Sequence, residues 1–482
     1  MVINMECRAF MSSLPANTFD SIVTDPPYGL SKQPNMREVL KHWLNGDDYT
    51  ATGGGFMGKS WDSFVPGPKT WEQALRVLKP GGYAVVFAGS RTVDLMATSL
   101  RLAGFEAVDM LHWMYGSGFP KSFDIGKAVD ARDGLGAKRE VQLKVTEWIR
   151  STGLTPVAIN TITNTFMGSH YTTAASQPSV PTRTDFEKLR THFGKPVPQW
   201  IEDAVDERTT ESENLKRREV IGHHADPAQA ARWREKYDGG SVNEAAAITT
   251  AYSDEAKQWV GWGTALKPCH EPIILCRKPL EGTYANNIMT HGCGALNIDG
   301  CRVGDGEMQR TKSNGIKISE NGSMAGGNSA VVAAEPSQGR WPGNVLHDGC
   351  LPEPMDRYFY HAKASKADRD EGMDGFAHKS AGECTGGRGE DSDGLNSPRA
   401  GAGRTSGARN SHPTVKPTAV MQWLCRLVTP PGGTLLDPFC GSGSTLKAAA
   451  LEGFNAVGCE MSPEYAEIAR AREEAAKCKQ ST

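Results

Sequence analysis

The chain has 482 residues, of which 38% are apolar and 23% charged, and its formal net charge is −3. Such a composition is typical of a globular protein of two or three domains and excludes a basic field over the whole chain, so nucleic-acid binding would need local basic patches. The eleven cysteines contain no C-x-x-C pair, which favours a reducing compartment. No apolar run reaches the roughly 18 residues of a membrane span and no signal peptide opens the chain. We therefore expect a soluble, cytoplasmic protein without membrane contact.

The stretch Asp25-Pro26-Pro27-Tyr28 follows residues 21–24, a short β-branched and apolar run that predicts a buried strand. The two prolines end that strand because they supply no backbone N–H and fix φ. A carboxylate, free carbonyls and an aromatic ring are thus expected together at the carboxyl end of a strand, where open α/β sheets place their ligands. This arrangement suits an amino group on a planar base. A plain strand-ending turn is the alternative.

Near the other end of the chain, a predicted strand runs into a loop of small residues before a predicted helix. The loop contains Asp437, Pro438, Phe439, Gly441, Ser442 and Gly443. Glycines let backbone N–H groups approach a ligand closely, and a helix N-terminus favours an anionic group. The Gly-Lys-Ser/Thr of a phosphate loop is missing, which argues against ATP. The next strand ends in Glu460, at the distance expected for a carboxylate on ribose hydroxyls.

Together, D-P-P-Y and D-P-F-C-G-S-G-S resemble the catalytic motif and the cofactor loop of the amino-methylating DNA methyltransferases. The order, catalytic motif first, resembles the β group of that family. The resemblance implies a doubly wound, Rossmann-like α/β methyltransferase sheet, circularly permuted, with a helical insertion and a recognition region. It implies catalysis by Asp25, Pro26, Pro27 and Tyr28, and binding of S-adenosylmethionine by the loop residues named above with Glu460, Lys416 and Glu6. Lys416 matches a motif beside the methionine part of the cofactor, and Glu6 matches by position an acid near its adenine.

The reaction implied is methyl transfer to an exocyclic amine of a flipped-out base in double-stranded DNA. An Asp at the first motif position is commoner in N6-adenine enzymes, so adenine is favoured and N4-cytosine is the alternative. A second class of function is a non-catalytic DNA-binding protein on a methyltransferase scaffold. By analogy with β-group relatives we expect a homodimer. We also consider a separate cognate restriction nuclease as a partner.

The rest of the chain is divided by its patterns. Residues 1–119 form the catalytic half, in which Lys79-Pro-Gly-Gly is expected to separate a helix from a strand at 83–88. Residues 29–63 are predicted to be a loop beside the site. The runs at 111–121 and 271–279 are expected to pair as antiparallel strands at the sheet edge, which makes residues 120–258 an insertion.

The insertion shows a helix, a glycine turn and a second helix, with Thr155 as cap and Pro156 at the first helical position. This order is similar to a helix-turn-helix unit, and a plain helical bundle is the alternative. Residues 259–280 return to the sheet, and 281–362 are the candidate target-recognition region, with strands expected near 295–299 and 340–347.

Residues 363–411 are rich in glycine, serine and charge, so we expect a mobile loop whose arginines steady a DNA backbone or simply face solvent. Residues 412–482 are the cofactor-binding half. No metal site is expected, since the His and Cys spacings of 291–350 match no zinc pattern.

Overall fold

The computed structural model describes residues 1–29, 34–51, 60–118, 122–130, 135–172, 178–216, 220–223, 247–249, 251, 253–313, 331–362, 366–379 and 408–480. The chain divides into two compact units, residues 1–118 with 269–482, and residues 119–268. In the described residues, no helix combines the length and apolarity needed to cross a membrane.

The first unit alternates strands and helices. Its strands are β1 (Val2–Ile3), β2 (Phe19–Thr24), β3 (Leu78–Phe87), β4 (Glu106–Met114), β7 (His270–Arg277), β8 (Val303–Ser313), β9 (Val331–Arg340), β10 (Val345–His347), β11 (Tyr360–His361), β12 (Thr434–Asp437) and β13 (Asn455–Cys459). Its helices are α1 (Cys7–Ser12), α2 (Met36–Leu44), α3 (Pro68–Val77), α4 (Val93–Leu102), α12 (Tyr284–His291), α13 (Lys366–Asp370), α14 (Thr418–Val428), α15 (Ser444–Glu452) and α16 (Pro463–Gln480).

Nine of these strands form one sheet in the order β1-β13-β12-β2-β3-β7-β4-β10-β11. Neighbours are parallel except where β7 runs antiparallel to β3 and β4. The chain winds outward from β2 to β3 on one side and from β12 to β13 on the other. The sheet therefore has its topological switch point between β2 and β12, where ligands bind in open α/β sheets. The predicted α/β class is confirmed.

Two apolar clusters cover the faces of this sheet. One contains Trp71 and Leu78, and the other contains Trp423 and Val85, all buried. The strands of the middle are buried on both faces, as in a parallel sheet covered by helices. The core therefore fixes the carboxyl ends of β2 and β12 side by side.

Several sequence predictions for the sheet need correction. The Lys79-Pro-Gly-Gly stretch is part of β3, which pairs with β2 through a register shift between Phe19 and Ser21. The predicted antiparallel pair is present as β4 and β7, but it is not the sheet edge, because β10 adds to β4 and β11 adds to β10. The strand expected at 295–299 is absent from this described segment. Instead, the side chain of Asn297 accepts a bond from the Gly300 amide and turns the chain.

The second unit contains α5 (Ile125–Asp130), α6 (Leu135–Arg150), α7 (Pro156–Thr163), α8 (Gly168–Thr172), α9 (Arg183–Arg190), α10 (Gln199–Lys216), β5 (Val220–His223), β6 (Ala247–Thr249) and α11 (Asp254–Lys257). Thr155 caps α7 as predicted, since its hydroxyl accepts a bond from the Ala158 amide. Ile159, Tyr171 and Phe186 lie in a buried apolar cluster of this unit.

The prediction of a mobile loop at 363–411 is wrong for the first part of that segment. Residues 366–379 contain α13, and Met373 packs fully buried against Tyr465 and Ile468 of α16. An antiparallel bridge joins Lys379 to Ala408 through two backbone hydrogen bonds of 3.0 Å. Residues 380–407, which include Arg388, Arg399 and Arg404 of the arginines considered for DNA contact, lie outside the described residues, as do the glycines of 53–55.

Candidate functional site

A cavity of about 700 Å³ opens at the switch point of the sheet. The loop after β2 forms one wall, the loop after β12 forms another, and residues 412–416 lie between them. Every site residue predicted from sequence lines this cavity except Gly443, which caps the adjoining helix. The sheet thus brings together two motifs that are more than 400 residues apart in sequence.

Asp25 follows β2 directly and has two partners at the cavity wall. The Tyr28 hydroxyl donates to its Oδ1 at 2.7 Å, and the Lys416 ammonium donates to its Oδ2 at 2.6 Å. Burial raises the pKa of Asp25, and the Lys416 ammonium opposes that rise. The net effect is a pKa above the ordinary value, and two donors hold the side chain, one on each oxygen, with lone pairs left for a further donor.

Tyr28 is fixed from three sides. Its amide donates to Asp62 Oδ1 at 2.8 Å, its carbonyl accepts from the Thr92 hydroxyl at 2.6 Å, and its hydroxyl also lies 2.9 Å from Glu271 Oε2. Burial, together with the Asp25 and Glu271 carboxylates, raises the pKa of Tyr28 well above its ordinary value. The ring is consequently neutral and rigidly placed.

Lys416 lies among acids and aromatic rings. Its ammonium is 2.6 Å from Asp25 and 3.2 Å from Glu271, and it stands 5.2 Å from the Tyr28 ring centroid and 5.0 Å from that of Phe87. Burial lowers its pKa, but the two carboxylates outweigh burial and leave the pKa above its ordinary value. The Lys416 ammonium therefore pairs with Asp25, whereas sequence resemblance associated this residue with the cofactor.

Asp437 is the last residue of β12, whereas Asp25 is the first residue after β2, and the partners of Asp437 are neutral. The Thr24 hydroxyl donates to Oδ1 at 2.6 Å and the Phe439 amide donates to the same atom at 3.1 Å. Burial raises the pKa of Asp437 to about 6. Asp437 thus ties the two strand ends together.

Two glycines shape the loop after β12, and both have positive φ. Gly441 has φ +50°, and a side chain there would meet His412. Gly443 has φ +77°, caps α15, and would place a Cβ only 2.8 Å from Ala469 Cα. Since positive φ favours glycine and the space is filled, the loop conformation depends on these two residues.

Behind the loop lies a buried polar network that the sequence did not suggest. Arg472 is fully buried and donates from Nη1 to the Ser442 carbonyl at 2.7 Å. Lys447 of α15 donates to Asp368 at 2.5 Å and Glu371 at 2.7 Å, and Asp368 also accepts from the Thr418 amide at 2.7 Å. Residues 366–379 therefore pack behind the loop after β12 and bond to the helices on either side of it.

The two remaining predicted carboxylates both line the cavity. Glu460 Oε1 accepts from the Ser462 amide at 2.6 Å, and burial raises the pKa of this side chain. Glu6 caps α1 by accepting from the Ala9 amide at 2.8 Å. Its pKa is lowered, because bonds from backbone amides outweigh the effect of burial. A capping role for Glu6 is visible, and its role beside an adenine stays a prediction.

Glu271, Asp62 and Trp61 also line the cavity. Asp62 and Trp61 belong to the segment 29–63 that was predicted to lie beside the site, whereas Glu271 was not assigned to the site from sequence. Glu271 is reached because β7 is antiparallel, so the beginning of that strand lies at the edge where β2 and β12 end. The rings of Trp61 and His412 are stacked with their centroids 6.1 Å apart. The His412 ring in turn meets the Tyr465 ring edge-on, with the centroids 4.6 Å apart. The site thus includes a second carboxylate and an aromatic wall.

A family model described as DNA methylase, of the N6/N4 methyltransferase type, matches residues 218–471 of this chain. The range covers a little more than half of the chain and includes Glu271, Lys416 and the loop after β12. Asp25 lies before that range, and the sheet places it beside the matched loop.

Two curated proteins are similar over short segments. The type II methyltransferase M.ScaI of Streptomyces caespitosus is 41% identical over 75 residues, which are 16% of this chain and 25% of the relative. The putative methylase YubD of Escherichia coli K12 is 45% identical over 60 residues, 12% of this chain and 26% of the relative. The chain therefore spans about a quarter of the length of these relatives.

Solved structures give weaker likenesses. TTHA0409 of Thermus thermophilus, a putative DNA modification methylase complexed with S-adenosyl-L-methionine, has 13% identity and a TM-score of 0.32, over 99% of this chain and 95% of the other. PvuII DNA methyltransferase, which is cytosine-N4-specific, has 10% identity and a TM-score of 0.36, over 98% and 85%. These scores are too low to bear on this chain. The family model, by contrast, covers more than half of it, and the chain belongs to the N6/N4 DNA methylase family.

Proposed function

We propose that the protein transfers a methyl group from S-adenosylmethionine to the exocyclic amino group of a DNA base, with N6 of adenine as the favoured position. The observation that carries this proposal is the cavity at the switch point, which Asp25-Pro26-Pro27-Tyr28 and the glycine loop after β12 line together. Methyl transfer needs an acceptor amine and a methyl donor held in line, and this cavity has a wall suited to each.

The charge of the cavity fits the donor. Its acidic side chains outnumber its basic ones: Glu6, Asp25, Asp62, Glu271, Asp437 and Glu460 stand against Lys416 and Arg369. S-adenosylmethionine supplies an activated methyl group on a cationic sulfur, and an acidic cavity favours a cation. Gly441 and Ser442 would lie against its amino-acid part near the start of α15, and Glu460 would accept bonds from its ribose hydroxyls.

The other wall fits a planar base. Asp25 has free lone pairs, and the Pro26 carbonyl lies beyond Thr24, the last residue of β2 that pairs with β3, so the two can accept the hydrogens of an amino group. Tyr28 offers an aromatic face, and stacking of a base on such a ring contributes about 1–3 kcal/mol in single-strand binding. That gain offsets part of the few kcal/mol that flipping a base out of the duplex costs. As positive charge develops on the nitrogen, the Asp25 carboxylate stabilises it.

The preference for adenine rests on the Asp of the D-P-P-Y motif, which the family uses more often for N6-adenine than for N4-cytosine. The test is long-read sequencing of plasmid DNA from a methylation-free host that expresses the protein, beside the Asp25→Ala variant. We expect N6-methyladenine in one sequence motif with the wild type and none with Asp25→Ala.

Each other outcome has a defined meaning. N4-methylcytosine in one motif would support the chemistry and overturn the base. No mark from a folded protein that binds S-adenosylmethionine would overturn the DNA methyltransferase function and favour a DNA-binding protein on a methyltransferase scaffold.

A further inference from the structure

The cluster of Asp25, Tyr28, Glu271 and Lys416 contains more charge than a base-binding carboxylate needs. Lys416 is only 6% exposed, yet its ammonium lies within 3.2 Å of two carboxylates. Burying charged groups is costly unless they are paired, so an arrangement of this kind has to be built by several elements at once. Here β2, β7 and the segment before α14 each contribute a member.

We propose that Lys416 and Glu271 are positioning residues of the methyl-transfer centre: Lys416 keeps Asp25 an ionised acceptor, and Glu271 holds Lys416 and Tyr28 while giving the cluster one surplus negative charge. The inference rests on the proposed function and extends it to Lys416, which contacts Asp25, and to Glu271, which contacts the two partners of Asp25.

Lys416 acts on the state of Asp25. A carboxyl group in a buried position favours its neutral form, and a protonated Asp25 would offer one oxygen fewer to the amino group of a base. An ammonium 2.6 Å from Oδ2 favours the ionised form and fixes the orientation of the carboxylate. Tyr28 bonds to Oδ1 of Asp25 and Lys416 bonds to Oδ2, so the carboxylate cannot rotate and its remaining lone pairs keep a fixed direction.

Glu271 acts on the charge balance. With Asp25 and Glu271 ionised, Lys416 protonated and Tyr28 neutral, the cluster carries one negative charge. Without Glu271 it would be neutral. A nitrogen that gains positive charge during methyl transfer is stabilised by the negative cluster, because electrostatic interactions are strong at a buried site. The single proton of the Tyr28 hydroxyl faces Asp25 Oδ1 at 2.7 Å and Glu271 Oε2 at 2.9 Å, so the two carboxylates share one donor and together hold the ring.

The two residues have opposite effects on Asp25, which gives the proposal its test. Removal of the Lys416 ammonium makes Asp25 harder to ionise, and removal of the Glu271 carboxylate makes it easier. The titratable groups outside the cluster that face it are Asp437, Tyr115 and His412, and all of them are kept in both variants.

The experiment measures single-turnover methylation of duplex DNA carrying the identified motif, from pH 5 to pH 9, for wild type, Lys416→Met, Glu271→Gln and the double variant. We expect the acidic limb of the pH–rate profile to move up by about 1–2 pH units in Lys416→Met and down by a similar amount in Glu271→Gln. In the double variant, which again carries one negative charge, the limb should return toward that of the wild type.

Conservative variants separate positioning from packing. Lys416→Arg and Glu271→Asp keep the charges and are expected to keep the wild-type limb, while kcat falls and the KM for DNA changes little. Circular dichroism reports whether each variant folds, independently of the predicted contact between Lys416 and the cofactor. If Lys416→Met does not fold, the downward shift in Glu271→Gln and its rescue by Glu271→Asp still decide the matter.

The inference would be overturned if the acidic limb of the pH–rate profile stayed in place, or moved in the same direction, in both single variants. The methyltransferase function would remain intact. A wild-type protein without methylation at any pH would overturn the proposed function itself. The two failures are therefore distinguishable.

Discussion

The loops after β2 and β12 begin alike and differ in what surrounds them. Each starts with an Asp at the end of a buried parallel strand, followed by proline. Asp25 is held by a cation and a phenol, whereas Asp437 is held by a hydroxyl and a backbone amide. The same residue type at adjacent strand ends is thus paired with an ammonium group in one loop and bonded to neutral groups in the other. Partners decide the role.

The largest expected effect, and the most direct test of the difference between the two loops, comes from removing the charge of each Asp in turn. In Asp25→Asn, Lys416 loses a carboxylate and a base amino group loses an ionised acceptor, so we expect kcat to fall by on the order of 10²–10³. In Asp437→Asn, the amide oxygen can still accept from Thr24 and Phe439, so methylation should fall by less than about tenfold.

Single-turnover kinetics with purified protein check both variants, circular dichroism shows that each is folded, and equilibrium binding gives the affinity of each for S-adenosylmethionine. Equal losses of kcat in the two variants would contradict the distinction between the loops. A loss of cofactor affinity confined to Asp437→Asn would show that its charge acts on the cofactor as well.

A glycine substitution tests how far the loop after β12 depends on its packing. In Gly443→Ala, a left-handed backbone and a Cβ at 2.8 Å from Ala469 both oppose the change, so we expect a loss of about 2–4 kcal/mol in stability. Gly432 is the matched control, because its φ is +71° and nothing lies within 4 Å of its Cβ position. Gly432→Ala should cost only about 1–2 kcal/mol.

Urea denaturation of both glycine variants gives these differences in free energy of unfolding. The Gly443→Ala variant should also bind S-adenosylmethionine more weakly than Gly432→Ala does. If the two variants lost the same stability, the contact between the loop and α16 would be unimportant.

A smaller effect concerns the segment that lies between the two loops. Burial lowers the pKa of His412 to about 3, and the nearby cations Arg369, Lys416 and Arg472 act in the same direction. An unfolded histidine gains its proton near pH 6.5, while the folded one stays neutral. The unfolded state therefore binds more protons below pH 6.5, and this residue costs up to about 1.4 kcal/mol of stability per pH unit on acidification toward pH 3.

We expect His412→Gln to lose less stability than wild type between pH 6.5 and pH 4.5, as measured by urea denaturation at each pH. His42 on α2 is exposed and supplies a matched His→Gln control at the surface. Parallel stability curves for wild type and His412→Gln would contradict the burial of a neutral imidazole.

The two motifs could be predicted from local sequence patterns, but several residues that contact them in the fold could not. Asp25 and Glu460 were found because each ends an apolar run, which is a local signal. Glu271 begins a strand, and its place at the site depends on β7 being antiparallel between β3 and β4, which no local pattern reveals. Likewise, the packing of 366–379 behind the loop after β12 depends on contacts of Asp368 with residues about 50 and 80 positions away.

The bridge between Lys379 and Ala408 has a consequence for how the chain tolerates change in length. It closes the stretch 380–407 at its base, so that whatever lies between the two residues begins and ends at one fixed point beside the first turn of α16, where Lys379 pairs with Glu464. The entropic cost of closing a loop rises only by about 0.6 kcal/mol with each doubling of its length. We therefore expect the protein to tolerate insertions and deletions between Lys379 and Ala408. Such changes should not move the strands that hold Asp25 and Asp437.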